Sequence, residues 1–327
     1  EVRINSSVNY IRARKEPPIV ESMGVKNKPA RTTGASGWLN RPKTRRSIKI
    51  ALFLAPILVF AVLFVYYPFV KTIINSFSIV NQKGNVTGFA GLANYKYVFG
   101  RNDFKKSILN SLIITGINVP ITLVVTILLA LIANKKRRLS PLYETLFTMP
   151  MAVSMSAACM VFKSMFSPTL GIINAMLGTQ LGWFESRATA LYTIIILTVW
   201  MGIGFDFLLF LSALRGIPSH IMEAARLDGA GLFTRIFKIQ LPLISPTILY
   251  VMCTNLVLAM MCSAPMIIIT QGGPSRSTTS LMYLMFASGY GSSNYSLAAV
   301  VSIVTFLLTF GFTVVAFMFE RKKVHYQ

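Results

Sequence analysis

The chain has 327 residues, 54% of them hydrophobic and 13% charged, with a formal net charge of +22. A soluble domain carries roughly a quarter of charged residues, so this deficit, together with apolar runs of about twenty residues, excludes an ordinary soluble protein and specifies a polytopic membrane protein. The basic excess would suit a nucleic-acid partner, but it collects at the ends of the apolar runs, where it sets membrane orientation and calls for no nucleic acid.

Residues 1 to about 47 are polar, basic and broken by Pro17, Pro18, Gly34 and Gly37, and they lack periodic apolar positions. They read as a largely disordered tail. So long a polar stretch before the first apolar run does not read as a cleavable signal peptide. The first span is expected from about Ile48 to Val70, with Tyr66 and Tyr67 as aromatic anchors at its far end. A polar loop follows to about Lys106. The second span, about Ile108 to Ala133, contains Asn118 and Pro120 and ends at the cluster Lys135-Lys-Arg-Arg138. The third is expected from about Leu146 to Phe166. Leu170–Leu177, in the next loop, is too short to span and reads as an interfacial helix. The fourth span is expected at about Leu191–Leu214, the fifth at Ile248–Ile269 and the sixth at Leu297–Phe319, before Arg321-Lys-Lys323. The expected fold is all-α: a tail (1–47) and a six-span membrane domain (48–327).

Lysine and arginine placement gives the orientation. The tail, the loop after the second span, the connection after the fourth and the C-terminus hold 23 of the 32 basic residues. Both termini are therefore expected in the cytoplasm.

Polar groups inside spans are expensive and are the first candidates for a transport pathway. Asp206 could bind hydroxyls from a watery cavity or serve as a structural partner for a neighbouring helix. Thr254 and Asn255, near Met252 and Met260, suit a hydroxyl-rich ligand or interhelical hydrogen bonds, and Asn118 with Thr115 carries the same two readings. Lys163, near an outer span end, snorkels or attracts an acidic ligand. Cys159, Cys253 and Cys262 lie in apolar runs and read as buried thiols. His220 and His325 read as surface residues, and no His, Cys and carboxylate cluster has metal spacing. There is no G-x-x-x-x-G-K-[ST] phosphate loop, so the chain has no ATP site of that kind.

Between the fourth and fifth spans lies Glu223-Ala-Ala-Arg-Leu-Asp-Gly-Ala-Gly-Leu-Phe-Thr-Arg-Ile-Phe-Lys-Ile-Gln-Leu-Pro242. Pro218 fits the first turn of a helix. Gly229, after Asp228, fits a left-handed helix stop. Leu232, Ile236 and Ile239 then recur at helical spacing. The stretch from about 215 to 242 is thus a helix–turn–helix elbow. Its small residues Ala224 and Ala225 permit close approach of a partner, and Glu223 can orient it.

This stretch resembles the EAA loop of ABC importer permeases: E-A-A, three residues, G, nine residues, then I-x-L-P. Glu223, Ala224, Ala225, Gly229, Ile239, Leu241 and Pro242 fall in place. Gly91-Leu-Ala-Asn-Tyr95 and Thr270-Gln-Gly-Gly-Pro274 are similar to segments of the carbohydrate branch, which includes maltose-type and glycerol phosphate permeases. The resemblance covers about residues 48–327. It implies a type I ABC importer permease working with two cytoplasmic ATPase subunits, which hold ATP and Mg²⁺, a second homologous permease and an extracytoplasmic solute-binding protein, in a bacterial inner membrane. The elbow would dock into the ATPase, and alternating access would follow ATP-driven closure. The implied solute is an oligosaccharide, including an acidic, alginate-like one, with glycerol phosphate or its diesters as the alternative. From other classes, an ion-coupled secondary carrier would work without ATPase, and a membrane scaffold or receptor would leave the elbow unused. Deleting residues 1–40 is expected to leave transport intact at normal membrane levels, and loss of transport in a vesicle uptake assay would assign the tail a function.

Overall fold

The computed structural model describes residues 42–135 and 137–323. Most of the tail, Lys136 and His325 therefore lie outside the described residues. The chain divides into two units, 1–61 and 62–327. The described part of the first is one helix, α1 (Pro42–Ala61), which begins within the segment assigned to the tail. Its residues from Ile50 onward are apolar nearly all round, with Leu52 and Phe53 exposed, as on a helix meeting lipid.

The second unit begins with a π-helical turn, Val62–Tyr66, and α2 (Tyr67–Ser76). The stretch Ile50–Ser76 is long and apolar enough to cross a membrane, and it ends six residues beyond the expected boundary. A short antiparallel hairpin follows, β1 (Ser78–Val80) with β2 (Val86–Phe89), which the all-α expectation did not include. Its turn is closed by Asn81, whose Oδ1 accepts from the backbone N–H groups of Lys83 and Asn85, a local device available to asparagine. Asn94, in α3 (Ala93–Gly100), donates from Nδ2 to the carbonyls of Ser76 and Ser78. The Gly91–Tyr95 segment thus pins the hairpin to the end of α2.

The centre of this unit is α4 (Asn102–Asn134) packed along α8 (Ala190–Arg215), with α12 (Ser245–Met260) against both. α4 starts six residues before the expected span. Between α4 and α8 lie α5 (Ser140–Ala152), α6 (Met155–Met165) and the short α7 (Ile172–Leu177). The third span is not the continuous helix expected from Leu146 to Phe166: α5 and α6 meet at 103° across Val153–Ser154. Ser154 adopts an extended conformation and caps α6, its hydroxyl accepting from the N–H of Ala157 at 3.3 Å. Asn174 of α7 is buried and folds its loop around itself, donating to the Leu181 carbonyl and accepting from Trp183 Nε1 at 2.7 Å.

Apolar clusters fill the bundle. Phe207, Phe210, Leu214, Ala130 and Ala133 form one at the α8 C-terminal end, and Phe104, Met260, Leu281 and Val300 form another at the opposite end. The latter includes α13 (Leu281–Phe286) and α14 (Tyr295–Lys323), which also packs on α2. In lipid there is little hydrophobic drive between helices, so small residues decide how closely they approach. Gly204 is such a residue. A β-carbon there would stand 2.8 Å from the Met151 backbone nitrogen and 3.0 Å from the Thr148 carbonyl oxygen. Gly204→Leu should therefore separate α8 from α5 and destabilise the membrane domain by about 1–3 kcal/mol, read as a lower midpoint in thermal unfolding of the detergent-solubilised protein.

Candidate functional site

Two places carry the functional candidates: the connection between α8 and α12, and a cavity among α4, α6, α8 and α12.

At the first, α8 ends at Arg215 and α9 runs Ser219–Leu227. Pro218 is the residue before the first helical position rather than inside the first turn, at φ −59° and ψ 133°. α9 closes as the sequence predicts. Gly229 is left-handed at φ +76°, with Gly229 N–H donating to Arg226 O and Ala230 N–H to Ala225 O, the paired bonds that satisfy the last carbonyls of a helix. α10 (Leu232–Arg235), a π-helical turn (Ile236–Gln240) and α11 (Leu241–Leu243) lead back to α12, with a bend of 69° between the Leu232–Leu243 and Ser245–Met260 segments. The fifth span was expected from Ile248 to Ile269; helix α12 stops at Met260, and Met266–Thr270 is a π-helical turn.

The two alanines differ. Ala224 is exposed, but Ala225 is buried, so its small size serves packing within the chain and not a partner's approach. Glu223 and Asp228 are exposed. Leu227 is 89% exposed, and Phe233 and Phe237 stand out beside Leu232. The expected stripe of Leu232, Ile236 and Ile239 is split, because the π-helical turn shifts the register: Ile236 and Ile239 are half-buried and Leu232 is not. Leu241 and Pro242 are half-buried, Leu241 against the Phe207–Phe210 cluster. The outward face therefore combines a carboxylate with a patch of large apolar groups, the composition of a protein-docking surface.

The root of the elbow is fixed by a residue the sequence offered only as one more positive charge. Arg215 reaches Glu144 of α5 at 2.5 Å and 3.3 Å through its two terminal nitrogens, and donates to the Ala133 carbonyl at the end of α4. The planar fork of a guanidinium meets both carboxylate oxygens from two nitrogens, a geometry a single ammonium nitrogen lacks.

The cavity has a volume of about 420 Å³ and is lined by Asn118, Thr198, Asn255, Met155, Met201 and Met261, among others. Asn118 Nδ2 donates to Thr198 Oγ1 at 2.8 Å. Asn255 Nδ2 donates to Asp206 Oδ2 at 2.5 Å, and Asp206 is buried. Asp206 thus takes the structural-partner role, holding Asn255 at the cavity wall. Methionines give the wall adaptable apolar surface. The hydroxyls of Thr115 and Thr122 are buried without a hydrogen-bond partner among the described residues. Thr254 does not belong here. Its hydroxyl bonds back to Tyr250 and Val251 of its own helix, and it lines a separate apolar cleft with Phe205 and Phe317. Lys163 is exposed beside Glu185 in a cleft under the Thr270–Pro274 loop.

The comparisons agree with this architecture. Residues 84–325, about three quarters of the chain, match the family described as binding-protein-dependent transport system inner membrane component. The sn-glycerol-3-phosphate transport system permease protein UgpA of Yersinia pestis is 34% identical over 280 residues, covering 84% of this chain and 95% of the relative. Its counterpart in Salmonella typhimurium is 31% identical over 293 residues, covering 88% and 99%. In fold, the chain is similar to one in the bacterial alginate ABC transporter crystallised with alginate pentasaccharide-bound periplasmic protein. The TM-score is 0.77 at 20% identity, over 87% of this chain and 98% of that one.

The Asp206–Asn255 pair yields an asymmetric prediction. Asn255→Leu strands a buried carboxylate, whereas Asp206→Asn keeps a polar partner. Asn255→Leu should lower stability more, by about 1–3 kcal/mol, and thermal unfolding of the two variants side by side checks the order.

Proposed function

The chain belongs to the family of binding-protein-dependent transport system inner membrane components and is a permease of such an ABC importer; on this premise we propose that it carries a hydroxyl-rich solute of the sugar or glycerol-phosphate type. It works with a solute-binding protein and an ATPase. The finer assembly is part of the proposal: two ATPase subunits, which hold ATP and Mg²⁺, and a second homologous permease beside this one, with the elbow and both termini on the ATPase side.

The observation that carries this reading is the elbow. Exposed Glu223 beside Leu227, Phe233 and Phe237, on a turn locked by Gly229, offers an ATPase subunit one charge to orient against and an apolar patch to bury. Ala224 and Asp228 lie on the same exposed stretch, while Ala225, Ile239, Leu241 and Pro242 anchor it to the bundle. Asn118 and Asn255 are proposed as polar contacts on the solute pathway, with Asp206 positioning Asn255. Amide groups around adaptable methionines suit a ligand rich in hydroxyls. Thr254 has no part in this reading.

Between the two solute classes, the extent of the UgpA similarity favours a glycerol-phosphate type, since the alginate transporter supports the fold alone. The experiment is ATP hydrolysis by the purified complex, with and without its binding protein, loaded in turn with sn-glycerol 3-phosphate, uronic acid oligomers or neutral oligosaccharides. Stimulation by one loaded binding protein supports the reading and names the class. An intact preparation without ATPase that moves solute down an ion gradient overturns it in favour of a secondary carrier. Glu223→Lys should weaken ATPase attachment about tenfold, a loss of about 1.4 kcal/mol, with the permease still folded; unchanged attachment in a pull-down titration removes Glu223 from the docking role.

A further inference from the structure

The end of the bundle opposite the elbow carries a charge excess that orientation does not explain. Nine of the 32 basic residues lie on segments at that end, against two of the ten acidic ones, Asp103 and Glu185. If topology alone were at work, cations would be scarce there.

Two of these cations, Arg101 and Arg276, line one cleft of about 460 Å³, where the start of α4 meets the turn 271–276, and a third, Lys106, bonds the backbone of its wall at Ser275. Arg101 is neutralised: its guanidinium makes a two-point contact with Asp103, at 2.9 Å and 2.5 Å, and donates to the Tyr97 hydroxyl. The other two are not. Arg276 lies 3.6 Å from the same carboxylate, already engaged by Arg101, and its side chain is 65% exposed. Lys106 donates to a neutral group, the Ser275 carbonyl at 2.7 Å, and has two further ammonium protons. Among the described residues no carboxylate pairs with Lys106. Arg187 and Arg276 both lie within electrostatic reach of it, so the surplus is concentrated.

The cleft is also preorganised. Gln271, Ser275 and Arg276 hold left-handed backbone conformations that side chains disfavour. They are kept there by groups buried beneath them: Asn110 Nδ2 donates to the carbonyls of Arg276 and Thr279, Thr278 Oγ1 to Gly273, and Thr279 Oγ1 to Gly272. Lys106 and Asn110, one helical turn apart on α4, grip the same turn. Like charges fixed side by side around a concave surface raise the local concentration of anions, and the planar fork of arginine matches a phosphate or carboxylate.

We propose that this cleft is an anion-binding subsite, in which Arg276 receives the phosphate or carboxylate group of the solute at the mouth of the permease, with Lys106 adding positive charge at the Ser275 wall and Asp103 and Arg101 fixing the wall behind. The proposal rests on the glycerol-phosphate reading of the solute and adds where its anionic group is received.

The test places a thiol in the turn by Ser275→Cys, in the whole complex held in phosphatidylcholine nanodiscs, with the parent complex as the background control. Its rate of modification is followed with a sulfonate and with a trimethylammonium methanethiosulfonate, each divided by its rate on a free thiol. The sulfonate reagent should be favoured at least about tenfold. sn-Glycerol 3-phosphate should slow the reaction while glycerol does not, and Lys106→Gln with Arg276→Gln should abolish both the preference and the protection. A preference near one, or equal protection by glycerol, overturns the proposal. So does a slowing seen only when phosphatidylglycerol replaces the neutral lipid, which would make a lipid headgroup the occupant. ATPase stimulation by a loaded binding protein, measured on the same preparation, reports on the importer reading separately, because it requires no occupancy of this cleft by the free probe.

Discussion

The bundle depends on how closely α8 lets its neighbours approach. α4, α5 and α12 all pack on this one helix, and lipid on the outside gives them little reason to do so beyond contact itself. At Gly204 the approach to α5 is backbone against backbone. Because α5 and α12 both sit tightly on α8, Phe147 of α5 meets Phe207 edge-on and Asn255 of α12 reaches Asp206. The cavity wall and the cluster under the elbow are thus two outcomes of the same close packing.

Apart from the Thr115 and Thr122 hydroxyls, polar groups inside the bundle divide by role. Those that hold helices together are satisfied: Asp206 by Asn255, Asn118 by Thr198, Asn110 by the turn above it. Each replaces water that the membrane interior cannot supply. The charged groups left partly unmatched, Arg276 and Lys106, lie at the rim of the bundle, where solvent offsets the cost of incomplete pairing.

Much of this was legible in the sequence, and the failures have physical causes. The elbow was readable because its signals are local: a proline before a helix, a glycine after it and a proline at re-entry each act through backbone geometry of a few residues. The polar face of the cavity was only half read. Thr115, Asn118, Thr122 and Thr126 recur at three- and four-residue spacing, as do Thr198, Gly202 and Asp206, so the two stripes from which Asn118, Thr198 and Gly202 reach the cavity stood in the sequence; Thr198 was missed because threonine in an apolar run usually bonds its own helix. Thr254 does just that, and adjacency to Asn255 misled, since neighbours in a helix point about 100° apart. The break at Val153–Ser154 follows Pro150 in the last turn of α5, but a proline inside an apolar run, like Pro120 within the unbroken α4, does not by itself specify a 103° corner. The buried state of Ala225 and the contacts of Arg215 depend on which helices come to lie beneath them, information no local window contains.

The contacts of Arg215 determine what kind of machine part the elbow is. A connection held only by its two flanking helices would swing like a flap on a hinge. Here its root is riveted to the ends of α4 and α5 through the Ala133 carbonyl and Glu144. A push on the elbow therefore loads three helices at once, as force on a plate. The compliant point of such a plate is where its backbone is already broken, at the corner between α5 and α6. Met155, the first residue past that corner, belongs to the cavity wall. If the elbow is the docking surface proposed above, a force on it would reach α5 directly, and a change of angle at this corner would move Met155 and with it the cavity wall.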